Sequence, residues 1–130
     1  MISEDEILKG KECTIEYRDN LDDLIYKLNM LRKFYGSPMT ITSGLRTIEE
    51  HIEIYRKMGI TDNTKIPMKS SHLFCLAVDV YDPEFLLTKF CKENEDFCKR
   101  IGLYFEDDTS QPRLHIQINA PKSGNRWFKK

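Results

Sequence analysis

Apolar residues recur at helical spacing in three segments of the chain, with polar residues at the positions between them. In the first segment, 20–36, Asn20 is placed to cap a helix and Gly36 is placed to end it. The second segment covers 48–58, and the third runs from 83 to 98 or 100. The pattern therefore predicts three helices.

Residues at the helix ends support the second and third of these helices. Thr47 lies three residues before Glu50, which is the spacing of a capping box. Asp82 and Pro83 provide a cap followed by a proline at the first helical position, where the missing N–H has no intrahelical partner to lose.

Other segments have the residue types of β-strands, namely 38–42, 76–81, 102–106 and 113–119. The last two are separated by a short polar stretch and are predicted to form a hairpin. The segment 61–69 lacks a clear period and is predicted to be a loop, and the basic tail 122–130 is predicted to be irregular. This order of helices and strands indicates an α+β fold.

Composition narrows the class of protein. With 130 residues, of which 40% are hydrophobic, the chain can bury one core, so a single domain covering 1–130 is expected. Twenty Lys and Arg balance 21 Asp and Glu, so net charge favours neither nucleic acid nor a membrane as a partner. The acidic segment 1–8 lacks the features of a secretory signal, and we expect a soluble protein that is cytoplasmic as synthesised.

The four cysteines are expected to be reduced and mostly buried, because nothing else in the chain suggests a secreted disulfide scaffold. Cys91 and Cys98 fall within the third predicted helix. Seven residues of helix would separate them by about 10 Å, which is beyond the reach of a disulfide.

Alternation within the strands gathers polar side chains on one face. In the segment 113–119 the apolar residues point one way, and the opposite face carries Arg113, His115, Gln117 and Asn119. Asp79 alternates in the same manner with the valines of the segment 76–81. If the two strands are neighbours with their apolar faces on the core, Asp79 and His115 line one wall of a cleft.

Three residues of this region are of types that commonly bind a catalytic metal ion. His72 lies seven residues before Asp79, just ahead of its strand, and His115 lies 36 residues beyond Asp79. Two imidazoles and a carboxylate can hold zinc and leave its fourth position open. Taken singly, each residue is better explained by a structural role, and only the three together favour a ligand set as strongly. His51, the remaining histidine, is expected to be solvated.

These residues lie in a longer motif that is known from a peptidase family. Ser70-x-His72-x-x-Cys75-x-Ala77-x-Asp79 resembles the S-x-H-x-x-G-x-A-x-D signature of the M15 zinc peptidases, which include D-Ala-D-Ala carboxypeptidases and phage L-alanyl-D-glutamate endopeptidases. The segments 43–46 (SGLR), 101–104 (IGLY) and 114–128 are also similar to family segments, so the resemblance covers roughly residues 20–128.

The resemblance implies a fold, a cofactor and an activity. The fold would be Hedgehog/DD-peptidase-like, a small, mainly antiparallel sheet with helices packed on one side. Zinc would be held by His72, Asp79 and His115, and its bound water would attack a peptide carbonyl in peptidoglycan. Arg46 matches the arginine that contacts the substrate or stabilises developing negative charge, and a salt bridge from Arg46 to Glu49 or Glu50 is the alternative.

Two further substrate-binding residues, Ser70 and Gln117, follow from the same resemblance.

Two positions depart from the family pattern. Pro112 stands three residues before His115, where many members carry the acid that serves as general base, and Pro112 cannot do so. Glu106 is then the candidate base, unless it belongs only to a solvated hairpin loop.

Cys75 replaces the glycine of the signature. It has the same strand parity as Ala77 and Asp79, so its sulfur either points to the metal side or is simply buried.

The leading hypothesis is a phage or prophage peptidase that acts at the cell wall after release. The alternatives are a zinc- and peptide-binding structural module, such as a virion component, and a zinc-stabilised domain without activity.

Overall fold

The computed structural model describes residues 1–68 and 70–129, so Lys69 in the predicted loop and Lys130 in the predicted tail lie outside the described residues. The fold is α+β, as predicted. The helices are α1 (Glu4–Leu8), α2 (Arg18–Tyr35), α3 (Ile48–Lys57), α4 (Leu86–Glu93) and α5 (Glu95–Ile101). The strands are β1 (Ile41–Ser43), β2 (Ala77–Tyr81), β3 (Tyr104–Glu106), β4 (Arg113–Gln117) and β5 (Trp127–Phe128).

The five strands form one sheet in the order β1-β2-β4-β3-β5. All neighbouring pairs are antiparallel except β3 and β5, which are parallel. The predicted hairpin of β3 and β4 is confirmed, and β2 pairs with the other edge of β4. The prediction of an irregular tail is wrong for β5, because Trp127 stacks on the buried ring of Phe105 at 4.6 Å and draws the tail onto the sheet.

The most regular helix, α2, packs one face into the core. Its buried residues recur every three or four positions: Leu21, Leu24, Leu28 and Leu31. Gly36 ends the helix in the left-handed conformation, as predicted. Asn20 does not cap it, because a 3₁₀ turn at Ile15–Tyr17 leads directly into Arg18, and the Asn20 side chain instead donates to the Phe74 carbonyl at 3.0 Å.

The second predicted helix is confirmed as α3, and it begins with the predicted capping box. The Thr47 hydroxyl accepts from the Glu50 N–H, and the Glu50 carboxylate accepts from the Thr47 N–H. In the part of the chain that the structure describes, no helix has the length and apolar character needed to cross a membrane.

The third predicted helix is in fact two helices, α4 and α5, separated at Asn94. Asp82 does act as a cap, with its carboxylate accepting from the N–H groups of Leu87 and Thr88, but the helix begins at Leu86 rather than at Pro83. The apolar pattern continues through this break because both helices contribute buried residues to the same core.

The break changes the expected arrangement of two cysteines. A hydrogen bond from the Cys91 thiol to the Cys98 sulfur, together with burial, raises the pKa of Cys91, so the two side chains are in contact. The 10 Å separation expected for a continuous helix is therefore wrong. All four cysteines are free thiols, as predicted, and three of them are buried.

The short helix α1 was not predicted, and it anchors the turn that follows β1. Its residue Ile7 is fully buried, and the Ile7 carbonyl accepts from the Leu45 N–H at 3.0 Å. Gly44 lies against the same backbone, where an added Cβ would fall 2.2 Å from the Ile7 oxygen. Only glycine permits this approach of the two backbones.

We predict that Gly44→Ala destabilises the protein, because either the turn or α1 must move to accommodate the methyl group. The expected loss is about 2–3 kcal/mol in the free energy of unfolding, measured by chemical denaturation. Gly124→Ala is the control, since Gly124 has a positive φ but open space around it, and about 1 kcal/mol is expected there. Equal losses in the two variants would contradict the close packing of α1 on this turn.

Candidate metal centre

Three side chains converge on one point at the surface of the sheet, as the sequence predicted. The His115 Nδ1 and His72 Nε2 atoms lie 2.9 and 3.3 Å from the same oxygen, Asp79 Oδ1. One ligand atom from each residue lies within 4.8 Å of the other two, so the group could hold a metal ion. Asp79 and His72 are 1% and 3% exposed, and His115 is partly buried.

The fold brings these residues together by two local devices. Asp79 and His115 occupy directly opposed positions of β2 and β4, and because both point away from the apolar face, they share one wall. His72 lies in a 3₁₀ turn at Ser71–Phe74, which folds back just before β2. The predicted meeting of Asp79 and His115 is confirmed.

Hydrogen bonds on the far side of each ring set its orientation. The His72 Nδ1 atom lies 2.9 Å from the carbonyl oxygen of Gly44, and the His115 Nε2 atom lies 2.8 Å from Gln117 Oε1. The Gln117 amide nitrogen donates to the Asn119 carbonyl, which identifies the other amide atom as the oxygen. Both far-side partners are acceptors, so each ring donates there.

The near-side nitrogens therefore have no proton left in the neutral rings. They nevertheless face a carboxylate oxygen, which is also an acceptor. Either a proton or a cation has to lie between these atoms. A metal ion satisfies both nitrogens and the carboxylate at once, and the far-side hydrogen bonds are those that usually orient metal-binding histidines. The donor set thus fits a metal ion.

The carboxylate of Asp79 is kept ionised despite its burial. Burial by itself would raise its pKa, but the contacts of Oδ1 with His115 and His72, which are hydrogen bonds when the near-side nitrogens carry a proton, outweigh this effect and lower the pKa below its usual value. Arg113 Nη1 donates to the other oxygen, Oδ2, at 2.6 Å. The two oxygens are therefore divided, with Oδ1 facing the histidines and Oδ2 held by the guanidinium. Burial also lowers the pKa of His72, which favours the neutral ring that binds metal.

The group lies in an open cleft of about 720 Å³. Its lining includes the polar side chains of Arg46, Ser70, Glu106, Arg113 and Gln117. The lining also includes apolar and aromatic side chains, namely Ile54, Tyr55, Met58, Pro67 and Phe128. A ligand at the three converging atoms would therefore touch both polar and apolar surfaces.

Glu106 lies inside this cleft rather than in a solvated loop. It ends β3 and is 8% exposed. The β3–β4 register pairs Phe105 with Ile116, and its continuation by one residue sets Glu106 opposite His115 on the same face. The predicted role of Glu106 as a base stays a prediction, but its position beside His115 allows it.

Arg46 also faces the cleft, and the alternative of a salt bridge is not found. Glu50 pairs with Lys11 at 3.2 Å, and among residues 1–68 and 70–129 no acid lies within ion-pair distance of Arg46. Burial lowers the pKa of the guanidinium, and its Nε atom is buried without a hydrogen-bond partner. The Arg46 backbone N–H donates to the His72 carbonyl at 3.1 Å, which ties Arg46 to the metal motif.

The two other predicted substrate-binding residues have structural partners at this site. The Ser70 hydroxyl accepts from the His72 N–H at 3.4 Å and begins the turn that carries His72. Gln117 is buried and orients His115. Both line the cleft, and their roles toward a substrate stay predictions.

Cys75 does not share the metal face. It precedes β2 in the left-handed conformation, with φ 57°, so the alternation that holds within the strand does not extend to it. Its side chain is fully buried in the core, and burial together with the neighbouring Cys13 raises its thiol pKa to about 12. The glycine of the family signature fits such a backbone without strain.

The expectation for His51 is wrong, because its side chain is completely buried. Its Nδ1 atom lies 3.3 Å from Arg46 Nη1, and its ring contacts Tyr55 with centroids 4.9 Å apart. The four-residue spacing of His51 and Tyr55 on one helix face was a signal for this contact. The contact with Arg46 joins different elements and has no local signal.

Comparisons with known proteins were made at three levels. Neither protein-family models, nor curated proteins, nor solved structures gave a match to this chain. The residues and geometry of the site itself therefore carry the functional argument.

Proposed function

We propose that this chain is a zinc-dependent peptidase that hydrolyses peptidoglycan stem peptides, at a D-Ala-D-Ala or L-Ala-D-Glu type of bond, and that a phage or prophage encodes it. The observation that carries the proposal is the convergence of His72 Nε2, Asp79 Oδ1 and His115 Nδ1 in a cleft that also holds Glu106 and Arg46. The class of substrate follows from the resemblance to M15 peptidases.

Zinc suits this set of ligands better than magnesium or calcium. Two imidazoles and one carboxylate form a typical catalytic zinc set, whereas magnesium and calcium prefer sites built mainly from oxygen. When bound, zinc supplies Lewis-acid polarisation of the peptide carbonyl and acidifies water at neutral pH.

The surrounding residues supply the remaining parts of a hydrolysis. The Glu106 carboxylate, on the same face as His115, accepts the proton of the attacking water and returns a proton to the leaving amine. Arg46, which has no carboxylate partner among residues 1–68 and 70–129, offers its guanidinium to a substrate carboxylate or to the developing oxyanion. The apolar wall from α3 excludes water from one side of the bound peptide.

One observation favours a second candidate, a zinc- and peptide-binding structural module such as a virion component. Pro112 occupies the position where many M15 members carry the base. Its carbonyl accepts a hydrogen bond from the Asp82 N–H, so the contact of Pro112 is a backbone contact. If Glu106 does not replace that base, metal and peptide would bind without turnover. Cleavage assays separate the two candidates.

We predict that the purified protein binds one zinc ion and that zinc stabilises it against heat. Zinc at 100 times its Kd adds about 2.7 kcal/mol to the free energy of unfolding. His72→Gln, Asp79→Asn and His115→Gln are expected to lose both the metal, measured by elemental analysis, and the rise in melting temperature.

The matched control for these variants is Asp82→Asn. Asp82 is also a buried carboxylate, but it caps α4 and lies outside the metal group. This variant should lose about 1 kcal/mol of stability and keep its zinc. Unchanged zinc content in the three ligand variants would refute the metal centre.

We predict that the zinc-loaded protein releases new amino groups from purified peptidoglycan and that a chelator abolishes the release. Glu106→Gln should lower kcat by about 10²–10⁴-fold while zinc stays bound, because the proton acceptor is removed. Asp107→Asn is the control, since Asp107 pairs with Lys92 outside the cleft. Zinc binding without cleavage of any stem peptide by the wild-type protein would favour the structural module.

We predict that Arg113→Gln weakens zinc binding by about 10-fold, because Asp79 Oδ2 loses the guanidinium that orients the carboxylate. The affinity is measured by competition with a chromophoric chelator. Arg100→Gln, an equal charge change at an exposed position away from the cleft, should leave the affinity unchanged. Equal zinc affinities of wild type and Arg113→Gln would show that the ion pair does not support the site.

A further inference from the structure

The side chain of Arg46 is held in the cleft by a neutral partner. Its Nη1 atom lies 3.3 Å from His51 Nδ1, whereas Glu50, one of the two acids considered as its partner, is engaged by Lys11 and Thr47. A carboxylate partner would neutralise the guanidinium. An imidazole nitrogen orients the group and leaves its positive charge available to a ligand.

The protonation of His51 follows from its two partners. Its Nε2 atom lies 2.5 Å from the carbonyl oxygen of Pro67, which can only accept. The guanidinium of Arg46 can only donate, so Nδ1 has to offer a lone pair. The ring is therefore neutral and carries its proton on Nε2.

His51 is well placed to act as a rigid support. Its side chain is fully buried, lies against Tyr55 and projects from the first turns of α3, which the capping box at Thr47 and Glu50 fixes. The carbonyl that receives its proton belongs to Pro67, which itself lines the cleft. One ring therefore connects α3, the segment before Ser70 and Arg46.

We propose that His51 is a positioning residue, which directs the guanidinium of Arg46 toward an anionic group of the bound peptide, either a carboxylate or the oxyanion of the scissile bond. The proposal rests on the proposed peptidase function. His51 does not touch the reacting atoms, and it acts through Arg46 alone.

Two substitutions of His51 test its contacts with Pro67 and with Arg46 separately. In His51→Gln the amide nitrogen matches Nε2 and keeps the bond to Pro67, but the acceptor for Arg46 is lost. In His51→Asn the amide oxygen matches Nδ1 and keeps that acceptor. With zinc-loaded protein and peptidoglycan, we expect His51→Gln to lower kcat/KM by about 10-fold or more, and His51→Asn to recover most of this loss.

A double-mutant cycle distinguishes positioning from a general loss of structure. In an Arg46→Met background, His51→Gln should cause no further loss in kcat/KM, because its effect passes through the missing guanidinium. An equal loss in both backgrounds would overturn the proposal. So would an Asn variant that is as impaired as the Gln variant while its melting temperature equals that of wild type.

Nitrogen NMR of the His51 ring tests the contact without any need for activity. We expect the neutral Nε2–H tautomer in the wild-type protein, and a shift of the Nδ1 resonance in Arg46→Met. An Nδ1–H tautomer, or an Nδ1 resonance unaffected by Arg46→Met, would overturn the proposal even if the variants fail to fold. If the wild-type protein cleaves no peptidoglycan, the peptidase function fails, while the NMR result still decides whether His51 orients Arg46.

Discussion

The buried carboxylate of Asp79 is the group around which the site is organised. A carboxylate that is 1% exposed has lost nearly all its contact with water and must be compensated by donors or cations. Arg113 donates to one oxygen of Asp79, and His72 and His115 face the other oxygen with nitrogens that require a proton or a metal ion in between. His72 lies in the turn before β2, whereas His115 and Arg113 both lie on β4, so this turn and the pairing of β2 with β4 must both be correct for Asp79 to be tolerated.

The metal group depends in turn on parts of the chain far from it in sequence. The carbonyl that orients His72 belongs to Gly44, and Gly44 is pressed against the backbone of Ile7 in α1. The next residue but one, Arg46, donates its N–H back to the His72 carbonyl. Helix α1, the turn after β1 and the segment that carries His72 are therefore joined by direct contacts, and Arg46 is part of the same set of contacts.

Predictions from sequence succeeded where a single short-range rule decides the structure. Alternation along β4 placed His115 with Arg113 and Gln117, and the capping box located the start of α3. They failed where two local signals compete or where a contact joins distant segments. The break at Asn94 interrupts a continuous apolar pattern, and Cys75 lies outside the strand whose alternation was applied to it.

The sequence by itself determined the α+β class, the faces of the central strands and the three residues of the metal group, because period and motif spacing are local properties of the chain. Only the tertiary structure decided which atoms surround them. The Gly44 carbonyl behind His72, the Arg113 bond to Asp79 and the His51 nitrogen beside Arg46 depend on side-chain packing between separate elements. Such contacts leave no periodic trace in the sequence, since they are set by distances that exist only after the chain has folded.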